Sequence, residues 1–115
     1  MIDRINSHIN FGAKFDPQVT QKLFERVSND KRLTNYLERQ INIINNWGDK
    51  DSLITLGKGK YTDRDQFILS NEKLGGDNTV GISRTISGEE SSIFIAFLDI
   101  SKKSIVEAER ILKNS

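Results

Sequence analysis

The hydrophobic period changes once along the chain, near residue 50, and this change constrains the fold more than any other feature. Between residues 17 and 47, apolar residues recur about every 3.6 positions, which predicts amphipathic helices. From residue 52 the period falls to two, as in half-buried strands. Helices segregated from a contiguous run of strands indicate an α+β fold rather than alternating β-α-β units. The length of 115 residues predicts a single domain over residues 1–115.

Two N-terminal helices are predicted. Asp16 and Pro17 begin the first, because Asp is a good N-cap and the missing N–H of Pro costs nothing in the first turn. The second is expected from about Lys31 to Trp47, before Gly48. Its predicted core-facing stripe comprises Leu33, Tyr36, Leu37, Ile41, Ile44 and Trp47. Ile2, Ile5 and Ile9 are also spaced for a short helix.

A four-stranded, mainly antiparallel sheet and one C-terminal helix are predicted to follow. The candidate strands are Ser52–Leu56, Gln66–Ser70, Thr79–Ser87 and Ser92–Ile100. The last of these is apolar on both faces, as expected of a central strand covered on both sides. Ser104 and Glu107 have the spacing of a capping box, which predicts the start of the final helix.

The composition excludes several kinds of chemistry. The chain has no cysteine and one histidine, which excludes disulfides, thiol nucleophiles and multi-histidine metal sites, so no cofactor is expected. Basic and acidic residues nearly balance, at 17 and 16, so any RNA partner would need a local basic patch. No apolar run approaches the length of a membrane span. We expect a soluble chain, although it could be a domain of a larger secreted protein.

Arg84 interrupts the apolar register of the predicted Thr79–Ser87 strand, which otherwise places Val80, Ile82 and Ile86 on one face. A buried guanidinium without partners is costly, so it should be paired, near an edge, or facing a ligand. The acidic residues that could pair with it are Asp63, Asp65, Glu72 and Asp99. Such a pair would make Arg84 part of the scaffold, which is the interpretation we favour.

The remaining candidate site residues could act on a phosphate ester. His8 titrates near neutral pH and could serve as a general acid or base. The candidate cations and hydroxyls are Lys58, Lys60, Tyr61, Arg64, Ser83 and Thr85. Together with Arg84 they are chemically sufficient for metal-free RNA cleavage. Each also has a simpler interpretation: His8 as an incidental residue, 57–61 as a solvated turn, and the hydroxyls as the wet face of a sheet.

The layout resembles that of the small ribonuclease toxin domains of bacterial competition systems, of the colicin D and contact-dependent-inhibition type. The corresponding pieces are residues 7–12, the helix that begins at Asp16 and Pro17, and the turn and strands from Gly57 to Ile100. This resemblance implies metal-independent cleavage of RNA, plausibly tRNA, in the cytoplasm, and a cognate immunity protein. His8, Arg84 and Thr85 would then be catalytic, and Lys58, Lys60, Tyr61, Arg64 and Ser83 would bind substrate. The C-terminal helix departs from the pattern.

Two other functions fit the composition equally well. The first is a non-enzymatic binding protein, such as a phage inhibitor, an immunity protein or an assembly factor, which acts through an exposed surface patch. The second is a structural domain that forms a homodimer through an unpaired edge of the Ser52–Leu56 strand.

Overall fold

The computed structural model describes residues 11–59 and 62–115. In chain order the elements are β1 (Lys14–Phe15), α1 (Pro17–Arg26), α2 (Lys31–Ile44), β2 (Leu53–Lys58), β3 (Asp65–Ser70), α3 (Glu72–Gly75), β4 (Thr79–Gly81), α4 (Glu90–Leu98) and α5 (Lys102–Lys113). The fold is α+β, as predicted, with two N-terminal helices, a four-stranded and mostly antiparallel sheet, and C-terminal helices. The short helix predicted around Ile2, Ile5 and Ile9 lies outside the described residues.

The sheet has the strand order β1-β2-β3-β4. β2 pairs antiparallel with β3, and β3 with β4, whereas β1 runs parallel to β2. The sequence did not predict β1, because two residues are too few to show a period of two. Leu53 and Ile54 of β2 are paired on both sides, by β1 and by β3. The free edge that the homodimer hypothesis requires is therefore not present at these two residues.

Three aromatic rings join the sheet to the C-terminal helices. Phe15 of β1 makes an edge contact with Phe67 of β3 at 6.3 Å between ring centroids. Phe97 of α4 lies 5.8 Å from Phe15 and 6.3 Å from Phe67. All three side chains are buried in the main hydrophobic core. Because aromatic rings bury large areas, this cluster contributes strongly to the packing between elements that are distant in sequence.

The prediction of a fourth strand at Ser92–Ile100 is wrong, because Glu90–Leu98 forms helix α4. Its buried residues have helical spacing: Ile93, Ala96, Phe97 and Ile100. Ile95 and Leu98 point outward and remain exposed, so the segment is apolar on all sides. Periodicity alone cannot distinguish such a run from a buried strand.

The predicted strand Thr79–Ser87 is regular only as far as Gly81. Beyond it, Ile82 donates its N–H to the Phe67 carbonyl, but the N–H of Phe67 is bound by the Ser83 hydroxyl instead of by backbone. The Ser83 side chain thus replaces one backbone hydrogen bond between the two segments. Beyond this point the side chains no longer alternate between the two faces of the sheet. Arg84 consequently leaves the buried register and is exposed.

The helix boundaries follow the capping chemistry. Asp16 caps α1 as predicted, and Asp30 caps α2 by accepting the N–H groups of Arg32 and Leu33. α5 begins one turn earlier than predicted, since its capping box joins Ser101 to Ser104 rather than Ser104 to Glu107.

A buried polar cluster attaches α5 to the segment that precedes β2. The Glu109 carboxylate accepts hydrogen bonds from the Ser52 hydroxyl at 2.5 Å and from the Asp49 backbone N–H at 2.6 Å. Asn71 donates to the Ser52 hydroxyl at 3.0 Å. Ser52 and Asn71 are buried, so loss of the carboxylate would leave a buried hydroxyl unsatisfied.

We predict that Glu109→Ala lowers the free energy of unfolding by about 1–3 kcal/mol, because the Ser52 hydroxyl loses its acceptor. Urea denaturation followed by circular dichroism measures this change. Glu107→Ala on the same helix is the control, since the ion-pair partner of Glu107 within the described residues is the exposed Arg110. Equal losses for the two variants would contradict the assignment.

Candidate functional site

Arg84 is part of an ion pair on the surface. Its Nη2 lies 3.6 Å from Oδ1 of Asp99, and 64% of its side chain is exposed. Its backbone N–H also donates to Oδ2 of Asp99 at 2.7 Å. The pairing with Asp99 was one of those predicted, and it ties the segment after β4 to the end of α4. This pair is the contact that the scaffold interpretation of Arg84 requires.

Ser83 and Thr85, the hydroxyls beside Arg84, differ in their surroundings. The Ser83 hydroxyl accepts the Phe67 N–H and donates to the Arg84 carbonyl, each at 3.0 Å. Its donor hydrogen and one lone pair are thus engaged within the fold. Thr85 is exposed.

The turn between β2 and β3 is held by internal contacts. Lys58 Nζ donates to the Asp63 carbonyl at 2.7 Å and lies 4.0 Å from Asp65 Oδ1. The Arg64 backbone N–H donates to the Thr62 hydroxyl. The structure thus brings Lys58, Arg64 and Ser83 to the first half of β3.

Three predicted site residues, His8, Lys60 and Tyr61, lie outside the described residues. Whether they converge on Arg84 and Thr85 therefore stays a prediction.

An open groove of about 760 Å³ lies between the sheet and the C-terminal end of α5. Of the predicted site residues that the structure describes, only Lys58 lines it. Its apolar wall is formed by Ile68, Val80, Ile111 and Leu112. Gly81 lies at the floor of the groove, where a larger residue would clash: a Cβ at this position would lie 2.2 Å from the Gln66 side chain. Among the described residues, the charged side chains that line the groove are Lys58 and Asp77, set in mixed polar and apolar walls.

Neither a metal cluster nor a membrane-spanning helix is found within residues 11–59 and 62–115. A hydrogen bond from Arg110 lowers the pKa of Glu107 on α5, and the same bond raises the pKa of Arg110. Neither residue is a predicted site residue.

Helix α2 carries large apolar side chains outside its buried face. Leu37, Ile41 and Ile44 are buried, as predicted. The remaining large apolar side chains are exposed, namely Leu33 at 50%, Tyr36 at 41% and Ile43 at 45%. The sequence prediction that Leu33 and Tyr36 face the core is therefore wrong. We call Leu33, Tyr36 and Ile43 the α2 stripe.

The spacing of the α2 stripe in the sequence indicates a second apolar face on this helix. Positions 33, 36, 40 and 43 follow a 3-4-3 spacing, which is the seam of a coiled coil, with the half-buried Gln40 as its polar member. The buried residues of α2 lie on the adjacent face. The apolar surface of this helix is therefore wider than one core contact requires.

Comparison of the chain with protein-family models, with curated proteins and with solved structures returned no match.

We predict that Asp99→Ala destabilises the chain more than Arg84→Gln does. Removing the carboxylate breaks both the ion pair and the bond to the Arg84 N–H, at a cost of about 1–2 kcal/mol. Arg84→Gln removes only an exposed pair, worth about 0–1 kcal/mol. Thermal denaturation of both variants measures the difference. A larger loss for Arg84→Gln would show that the guanidinium has a role beyond this pair.

Proposed function

We propose that this chain is a non-enzymatic protein-binding module and that the α2 stripe is its binding surface. The observation that carries the proposal is the exposure of three large apolar side chains along one face of a helix whose other apolar face is fully used. Large apolar side chains grouped on a surface mark interaction sites more often than scattered ones do.

The geometry of the stripe suits a helical partner. From Leu33 to Ile43 the seam includes eleven residues, which extend over about 15 Å of helix. Side chains at 3-4-3 spacing form the knobs and holes into which a second amphipathic helix packs. The contact is short, so a weak and reversible complex is expected.

The surroundings of three described candidate site residues support binding over catalysis. Arg84 is paired with Asp99, and Lys58 donates to the Asp63 carbonyl within the β2–β3 turn. The Ser83 hydroxyl accepts one backbone hydrogen bond and donates another. Each group would have to exchange an internal contact for a substrate. The ribonuclease hypothesis still has His8, Lys60 and Tyr61 to draw on, and it stays a prediction.

The stripe predicts binding to a designed helical peptide. The probe has about 21 residues, with Leu at seam positions and Gln at flanking positions, so that it is helical and uncharged at the contact. We expect Ile43→Ser to weaken binding about tenfold or more, because a side chain that becomes buried in the complex is lost. Fluorescence anisotropy of the labelled peptide measures the affinity.

Val106→Ser is the matched control for this experiment. Val106 lies on α5 and is 48% exposed, against 45% for Ile43, so both variants remove a similar apolar side chain from the surface. We expect its affinity to equal that of the unchanged chain. If the unchanged chain does not bind the peptide, or if both variants weaken binding equally, the α2 stripe is not the binding surface.

A cleavage assay distinguishes the protein-binding proposal from the ribonuclease hypothesis. We expect no cleavage when the purified chain is incubated with total tRNA in EDTA, because the proposed module has no catalytic role. Cleavage that is lost in the His8→Ala variant would overturn the proposal and support the ribonuclease hypothesis.

A further inference from the structure

A row of arginines borders the α2 stripe. At about 100° per residue, Arg32 and Arg39 lie on the edge that faces away from Leu37 and Ile41. They are seven residues apart, so they occupy the same position in successive heptads. Both are exposed. The apolar seam therefore has one basic border along its solvent side.

Neither Arg32 nor Arg39 forms an ion pair with residues 11–59 or 62–115, and the Asp30 carboxylate beside Arg32 accepts backbone N–H groups of the first turn. Glu38, the one acidic residue of α2, lies on the other side of the helix from the stripe, where it neighbours Lys31. The two guanidinium groups are thus available to a partner that packs along the seam.

We propose that the partner of the α2 stripe is an amphipathic helix whose apolar seam is flanked by glutamate or aspartate. This inference rests on the proposed function and adds the charge of the partner to it. Residues at the flanking heptad positions pair across a coiled coil and set partner choice. Arg forms bidentate pairs with carboxylates, which favours an acidic flank over a merely polar one.

A second copy of the chain fits this surface less well. In an antiparallel pairing centred on the stripe, Arg39 of one copy would lie at the level of Arg39 of the other. Like charges at the same level oppose association, and no acidic residue of α2 lies on that border to relieve the repulsion.

Three peptides with the same leucine seam test the inference, with Glu, Gln or Lys at the flanking positions. We expect the Glu peptide to bind about threefold to tenfold more tightly than the Gln peptide, and the Lys peptide to bind most weakly. The differences should shrink at about 0.5 M salt, since exposed ion pairs are screened. Circular dichroism verifies equal helicity of the peptides.

Charge reversal on the protein provides the reciprocal test. Arg39→Glu should remove the preference for the Glu peptide over the Lys peptide, because Arg32 and the new carboxylate at position 39 leave the border without net charge. Lys31→Glu is the matched control, since it makes the same change of charge on the opposite side of α2. We expect the Lys31→Glu variant to keep the original order, with affinities unchanged within about twofold.

Failure of this inference differs from failure of the proposed function. Equal binding of all three peptides, still sensitive to Ile43→Ser, would retain the binding surface and overturn the acidic partner. No binding of any peptide would overturn both. A homodimer that Ile43→Ser dissociates, seen by analytical ultracentrifugation, would replace the acidic helix with a second copy of the chain.

Discussion

The packing of Phe15, Phe67 and Phe97 is the contact on which the rest of the structure depends. It joins the first strand, the central strand β3 and helix α4, which come from the beginning, middle and end of the described chain. Once Phe97 is held, the end of α4 brings Asp99 to Arg84, and the turn that follows leads into α5. The Glu109 carboxylate then connects α5 to Ser52. A chain without cysteine thus unites distant segments through aromatic packing and one buried polar cluster.

The same core leaves part of α2 without a partner. Leu37, Ile41 and Ile44 complete the core, so the apolar side chains one step around the helix meet solvent. Leu33, Tyr36 and Ile43 leave between 41% and 50% of their surface unburied in the isolated domain. A coiled-coil spacing with an arginine border therefore points to a partner helix as the reason for these residues.

The sequence predicted most of the helices and the two longest strands because each has enough residues to show its period. It failed where local geometry overrides the period. β1 has only two residues. The strand before Arg84 ends where the Ser83 hydroxyl accepts the Phe67 N–H. Helix α4 was predicted as a strand because Ile95 and Leu98 make its exposed side apolar as well. The Arg84–Asp99 pair was among the predicted alternatives, whereas Leu33 and Tyr36 of the α2 stripe were wrongly assigned to the core. Helical spacing shows which residues share a face, but only tertiary packing shows which face is covered.

The binding surface can be located directly by titrating ¹⁵N-labelled chain with the glutamate-flanked peptide and following backbone amide chemical shifts. We predict that the largest shifts lie along α2 between Leu33 and Ile43, and that the residues of the 760 Å³ groove beside Lys58 keep their shifts. Shifts confined to the groove or to α4, with none along α2, would contradict the claim that the α2 stripe is the surface through which this chain acts.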